Sequence, residues 1–192
     1  MLNLAEIGPA VFGAWRLAQV DAGGMRYFDQ SLQGFWRSFR VAVLVAPLYA
    51  LLVYFDLYGA PGLAGWFIIL IGETIGYVIN WTAFPLLMFY LCETIGRRDR
   101  YLGFIVAYNW SAVIQLAIMV PALAIDWLGI LPESVTHAIL IAANIALAVY
   151  EWFIVRTALN LSAIAAAVIT GLDQLVLASV ILMATNSMIQ LH

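Results

Sequence analysis

Five long apolar stretches constrain the fold of this chain more than any other feature. Each holds about 20 residues with few charges, the length that a helix needs to cross the hydrocarbon core of a bilayer. Lipid cannot satisfy free backbone N–H and C=O groups, and the stretches do not alternate apolar with polar residues, so they predict helices rather than barrel strands. The predicted spans are residues 39–58, 65–92, 101–127, 134–153 and 161–184.

The composition excludes a water-soluble domain. Hydrophobic residues make up 65% of the chain and charged residues 10%, whereas a soluble domain has about 45–50% and about 25%. The mean hydropathy is +0.99. A disordered chain and a nucleic-acid-binding protein are excluded on the same ground. The sequence therefore predicts an all-α polytopic membrane protein, with a bundle of five transmembrane helices over residues 39–192.

The basic residues, which are all arginine, lie in alternate connections of the predicted spans. Three precede the first span and a fourth, Arg40, lies at its start; three lie between the second and third spans, and Arg156 lies between the fourth and fifth. Because cytoplasmic loops carry an excess of basic residues, this pattern predicts a cytoplasmic N-terminus and an external C-terminus. Arginine without lysine, together with heavy use of alanine and leucine, suggests a bacterial chain. We therefore expect a multi-pass protein of the bacterial inner membrane.

Residues 1–38 are predicted to form a cytoplasmic or interfacial region that does not cross the bilayer. Apolar side chains recur there at helical spacing and define a stripe about 100° wide. An amphipathic helix of this kind lies in the headgroup plane with its aromatic face toward the lipid. The alternative is a helix docked against the protein's own bundle. The residues of the stripe are Phe28, Leu32, Phe35, Trp36 and Phe39.

Polar residues inside the predicted spans are the candidates for a functional site, because an ionisable group is costly in a membrane. At about 1.5 Å per residue, Glu73 and Asp173 come to a similar depth. The functional interpretation is a proton or cation site, and the alternative is that protonated acids only hydrogen-bond neighbouring helices. Glu151 is predicted to lie near the cytoplasmic edge, close to Arg156, and to anchor its helix there. The candidate intramembrane polar site comprises Glu73, Asn80, Gln115, Asn144, Asp173 and Gln174.

No pattern in the sequence indicates an enzyme. There is no nucleotide-binding glycine loop, no Ser/His/Asp set and no metal-binding pair of histidines, so we expect no catalytic residue, no metal site and no cofactor. The single cysteine, Cys92, excludes an intramolecular disulfide and a cysteine-based zinc site. The expected partners are the lipid bilayer and either another membrane protein or a second copy of the chain, with no nucleic acid.

Two segments carry a resemblance to a known family. Residues 81–87 (WTAFPLL) and 107–110 (AYNW) resemble the second and third spans of the Yip1-like five-span membrane proteins, in their uncharacterised bacterial branch. The resemblance covers about residues 35–185. It implies a membrane-organising or partner-binding role without catalytic residues.

Two functional hypotheses follow. The first is a non-enzymatic scaffold or accessory protein of a bacterial inner membrane. The second is a small proton- or cation-coupled transporter or channel that uses Glu73 and Asp173.

Overall fold

The computed structural model describes residues 4–56 and 62–189, and within them the chain forms α-helices, two short 3₁₀ turns and no strand. The predicted all-α class is confirmed. The 3₁₀ turns are Ala22–Tyr27 and Arg98–Arg100. The α-helices of the described residues are α1 (Leu4–Ala18), α2 (Leu32–Ser38), α3 (Arg40–Asp56), α4 (Gly62–Thr94), α5 (Tyr101–Trp127), α6 (Glu133–Leu159) and α7 (Ala163–Ile189).

Four helical segments of the part of the chain that the structure describes are long and apolar enough to cross a membrane. They are Leu32–Tyr54, which joins α2 to α3, then Leu70–Thr94, Arg98–Trp127 and Glu133–Leu159. In α7, the apolar segment Ala163–Val176 is shorter than a span. Within the described residues, the protein therefore has four helices of membrane-spanning length. The predicted end of the first span at Tyr58 lies outside the described residues.

The connection between α6 and α7 lies further along the chain than the predicted boundary. α6 continues to Leu159 rather than ending near Phe153. Asn160 then takes a left-handed conformation with a φ of 51°, which is the backbone geometry that often ends a helix and that asparagine tolerates. Ser162 follows, and its side chain accepts a hydrogen bond from the N–H of Ala165. An asparagine turn thus replaces the Gly or Pro that usually marks such a break.

Most of the buried core lies at one end of the bundle, which we call the arginine end because Arg97, Arg98, Arg100 and Arg156 lie there. The first half of α5 and the last ten residues of α6 supply much of this core. Cys92, near the end of α4, and Ala166, near the start of α7, are buried with them. Toward the opposite end of the bundle, the described part of α5 buries Ala122 and that of α6 buries Thr136, each apart from the other buried residues of its helix.

The N-terminal region packs against the arginine end instead of forming a separate surface helix. α1 buries Ala10, Ala14 and Leu17. The hydroxyl of Tyr150 on α6 donates a hydrogen bond to the carbonyl oxygen of Ala14 at 2.9 Å. Arg37 forms an ion pair with Glu6, which links α2 to α1. The region is therefore part of the protein's own core.

The predicted amphipathic stripe is not one helical face. Phe28 precedes α2 in extended backbone and is buried. Phe35 is 8% exposed and Trp36 is 66% exposed, because α2 is only seven residues long and one side of it packs against α5. Leu32 is exposed, and Phe39, at the junction of α2 and α3, is partly buried. The alternative of a segment docked on the bundle accounts for Phe28 and Phe35, whereas Leu32 and Trp36 face outward.

Candidate functional site

Glu73 and Asp173, the two acids of the predicted polar site, have different partners. The hydroxyl of Tyr49 on α3 donates a hydrogen bond to Oε2 of Glu73 at 2.7 Å. The hydroxyl of Tyr108 on α5 donates to Oδ2 of Asp173 at 2.9 Å. The hydrogen bonds of these acids therefore connect each of them to a tyrosine of a neighbouring helix.

The amides of the predicted site do not gather around these acids either. Gln115 donates to the hydroxyl of Ser111 on its own helix at 3.0 Å. Asn144 donates to the carbonyl oxygen of Leu140 at 2.8 Å and is exposed. Asn80 on α4 is exposed as well. The described hydrogen bonds do not join these six residues into one cluster, and among them Asp173 and Gln174, which are adjacent in α7, contribute to a shared site.

Glu151, predicted as an anchor at the cytoplasmic edge, lies instead beside Asp173. Glu151 is buried, with 4% of its surface exposed. The side-chain amide of Gln174 donates a hydrogen bond to Oε2 of Glu151 at 2.9 Å. The carboxyl groups of Glu151 and Asp173 lie within hydrogen-bonding reach of each other. The site that the fold builds is therefore a carboxyl pair, which we call the Glu151–Asp173 pair, with Tyr108 and Gln174 as donors.

The extra turns of α6 explain why the sequence pattern placed Glu151 wrongly. A span ending near Phe153 puts Glu151 at the membrane edge, whereas the observed end at Leu159 moves it about 12 Å into the helix, at about 1.5 Å per residue. Asp173 lies about 15 Å from the start of α7, and Tyr108 about 10 Å from the start of α5. All three helices meet the arginine end, so the three side chains share a depth.

Neither Glu151 nor Asp173 takes part in an ion pair among the described residues. The ion pairs that the structure describes all involve other acids. Arg156, one turn beyond Glu151 on α6, lies over the ring of Trp152 at 5.3 Å from its centroid. Two buried oxygens of these helices lack a hydrogen-bond partner: Oε1 of Glu151, which belongs to the pair, and Oγ1 of Thr170, three residues before Asp173 on α7. Both residues are more than nine-tenths buried.

A small cavity of about 130 Å³ separates the N-terminal region from α5. Arg37 contributes to its lining and is balanced by two acids, Glu6 and Asp29, the latter at 3.5 Å. Hydrogen bonds from the side chain and the backbone of Ser31 hold the pKa of Asp29 below its usual range. With its charges already paired, the cavity offers no free cation or anion to a ligand.

No group of three or more His, Cys, Asp or Glu residues in the described part of the chain is placed to hold a metal ion. Comparison of the chain with protein-family models, with curated proteins and with solved structures gave no match.

Proposed function

We propose that the protein is a non-enzymatic scaffold or accessory protein of a bacterial inner membrane that binds another membrane protein through exposed polar side chains in the middle of its spans. The observation that carries this proposal is the exposure of two amide side chains inside the spans. At the arginine end, the helices bury their side chains against one another. Further along the spans, the polar side chains of Asn80 and Asn144 are exposed.

Exposed amides are unusual on a surface that faces lipid. Asn80 lies about 21 Å from the end of α4, and Asn144 about 16 Å from the start of α6, so both fall inside the hydrocarbon core. Polar side chains at such depths commonly hydrogen-bond across to another helix. A helix of a partner protein would satisfy these amides, and a second copy of the chain is the alternative occupant.

The proposed topology has five spans, with α7 as the fifth, a cytoplasmic N-terminus and an external C-terminus. Its support is the placement of basic residues, since the arginine-rich connections and the N-terminal region meet at one end and basic residues favour the cytoplasm. Leu32 and Trp36 remain available to the membrane interface. The Yip1-like resemblance, which implies a partner-binding role, agrees with this proposal and is part of it.

Site-specific photo-crosslinking in native membranes tests the proposal. A photoreactive side chain at Asn80 or Asn144 should give protein adducts, and a leucine at the other position should weaken them. Ile145, which is 60% exposed and adjacent in α6, is the matched control and should react with lipid. If positions 80 and 144 also give lipid adducts alone, the scaffold proposal is wrong. Adducts at the mass of two chains would identify the partner as a second copy.

A further inference from the structure

We infer that the Glu151–Asp173 pair is a proton-binding site, in which the two carboxyl groups share one proton between α6 and α7. This site goes beyond the scaffold proposal, and it differs from the predicted site because Glu151 takes the place of Glu73. The ligand is a proton, and the groups that hold it come from three helices: Glu151 from α6, Asp173 and Gln174 from α7, and Tyr108 from α5.

The arrangement of donors favours one proton over none or two. Without a proton, two negative charges would lie side by side in a medium of low dielectric, where they repel strongly. With one proton, a single negative charge remains on the pair. Each carboxyl receives one donor from outside the pair, from Tyr108 at 2.9 Å and from Gln174 at 2.9 Å. Donors of this kind stabilise an anion, so they fit a pair that keeps one charge.

The unpartnered oxygen of Glu151 points to the same ligand. Oε1 is fully buried and no donor of the described residues reaches it. A proton on this oxygen turns the acceptor into a donor toward the neighbouring carboxyl group of Asp173. Thr170, whose buried Oγ1 also lacks a partner, lies one turn before Gln174 on the same face of α7.

The other groups around the pair do not supply a positive charge. Tyr108 is the titratable group that faces it from α5. α1 packs against α6, and α4 packs against α7, but no described titratable group of α1 or α4 interacts with either carboxyl. One of the two negative charges is therefore neutralised by a proton, because no described side chain beside the pair supplies a positive charge.

Infrared difference spectroscopy of the full-length protein in lipid nanodiscs tests this inference. The wild type should show the C=O band of a protonated carboxyl at neutral pH, and the band should disappear as the pH is raised. Glu151→Gln and Asp173→Asn should each lose the band or shift its titration to lower pH by about one unit or more, because the neighbouring negative charge is gone. Tyr108→Phe should shift the titration to higher pH, because the anion loses a donor.

Glu73→Gln is the matched control, since Glu73 bonds to Tyr49 and is outside the pair, and its titration should match the wild type. The inference is overturned if either pair variant titrates like the wild type, or if Glu73→Gln alone removes the band. Removal of the band by sodium at constant pH would also overturn it, because a metal cation would then be the ligand. Having two pair variants keeps the test decisive if one of them fails to fold.

Discussion

The hydroxyl of Tyr150 on α6 donates a hydrogen bond to the main-chain carbonyl of Ala14 on α1, at 2.9 Å. This bond joins the N-terminal region to a membrane-length helix that lies far along the chain. Both residues are buried, so water cannot replace either partner. The N-terminal region is thereby held to the bundle by a specific contact as well as by apolar packing.

Removing this bond should loosen the N-terminal region. We expect Tyr150→Phe to lower the free energy of unfolding by about 1 kcal/mol, the usual net contribution of such a bond. Tyr90→Phe makes the same change at an exposed position of α4 and should have no measurable effect. Thermal unfolding in detergent compares the two variants. Equal melting temperatures for both would mean that the Tyr150 bond does not stabilise the docked region.

The packing of the first 3₁₀ turn on α1 requires a glycine at position 24. A Cβ added to Gly24 would lie 2.5 Å from the carbonyl oxygen of Gly13, and this backbone atom cannot move aside cheaply. We expect Gly24→Ala to destabilise the protein by about 1–3 kcal/mol, the usual cost of overpacking. A Cβ on Gly8, in the same helix as Gly13, meets nothing within 4 Å. Gly8→Ala should leave the unfolding curve unchanged or raise its midpoint, and a similar loss in both variants would contradict the observed packing.

The turn after α1 should depend on pH through Asp21. Hydrogen bonds from the N–H of Gly23 and from the guanidinium of Arg16 hold the pKa of Asp21 below its usual range. A lowered pKa means that the carboxylate contributes stability above the unfolded value of about 4, and that this contribution is lost as the pH falls through the folded value. Hydrogen exchange of residues 22–27, corrected for intrinsic rates, should therefore rise in acid.

Asp21→Asn provides the control for this pH effect. It keeps an oxygen for the N–H of Gly23 but removes the charge that Arg16 pairs with. Exchange in this variant should be faster than in the wild type near neutral pH and nearly independent of pH. If the wild type and Asp21→Asn show the same rise in acid, another group is responsible.

Substitutions of two adjacent aromatic residues, Phe35 and Trp36, should distinguish a side chain that packs on the bundle from one that contacts lipid. Phe35 packs at 5.7 Å from the ring of Tyr101, whereas Trp36 is mostly exposed. Phe35→Ala should cost about 3–5 kcal/mol of unfolding free energy, as for a buried aromatic residue. Trp36→Ala should change stability little and should weaken quenching of the protein's fluorescence by brominated lipid. A large loss of stability from Trp36→Ala would place that ring in the core instead.

The long apolar stretches sufficed to predict helices, because lipid leaves the backbone few other choices. They did not reveal which apolar side chains meet protein. Phe35 and Trp36 have similar hydrophobicity, and periodicity alone cannot distinguish a partner helix from lipid, since both are apolar. Docking of the N-terminal region depends on tertiary contacts such as that of Tyr150 with Ala14, which have no local signal in the sequence.

The carboxyl pair was missed for a local reason. The end of α6 is set by Asn160 in a left-handed conformation, a weaker signal than Gly or Pro, and the boundary error displaced Glu151 from the bundle interior to its edge. Asp173, which lies inside its predicted span, was recognised. The partner of an acid inside a span can therefore be predicted only as accurately as the bounds of the helix that carries the partner.

Accessibility labelling of single cysteines in intact cells tests the central claim, that the helices cross the membrane with the arginine end in the cytoplasm. Cys92 is buried, and Cys92→Ala gives a background without other thiols. Pro132 and Arg98 are both exposed, in connections at opposite ends of α5. We predict that Pro132→Cys reacts with an impermeant maleimide in intact cells, and that Arg98→Cys reacts only after permeabilisation. Protection at position 132 together with labelling at position 98 would contradict the proposed orientation, and equal labelling of both in intact cells would contradict a membrane-spanning α5.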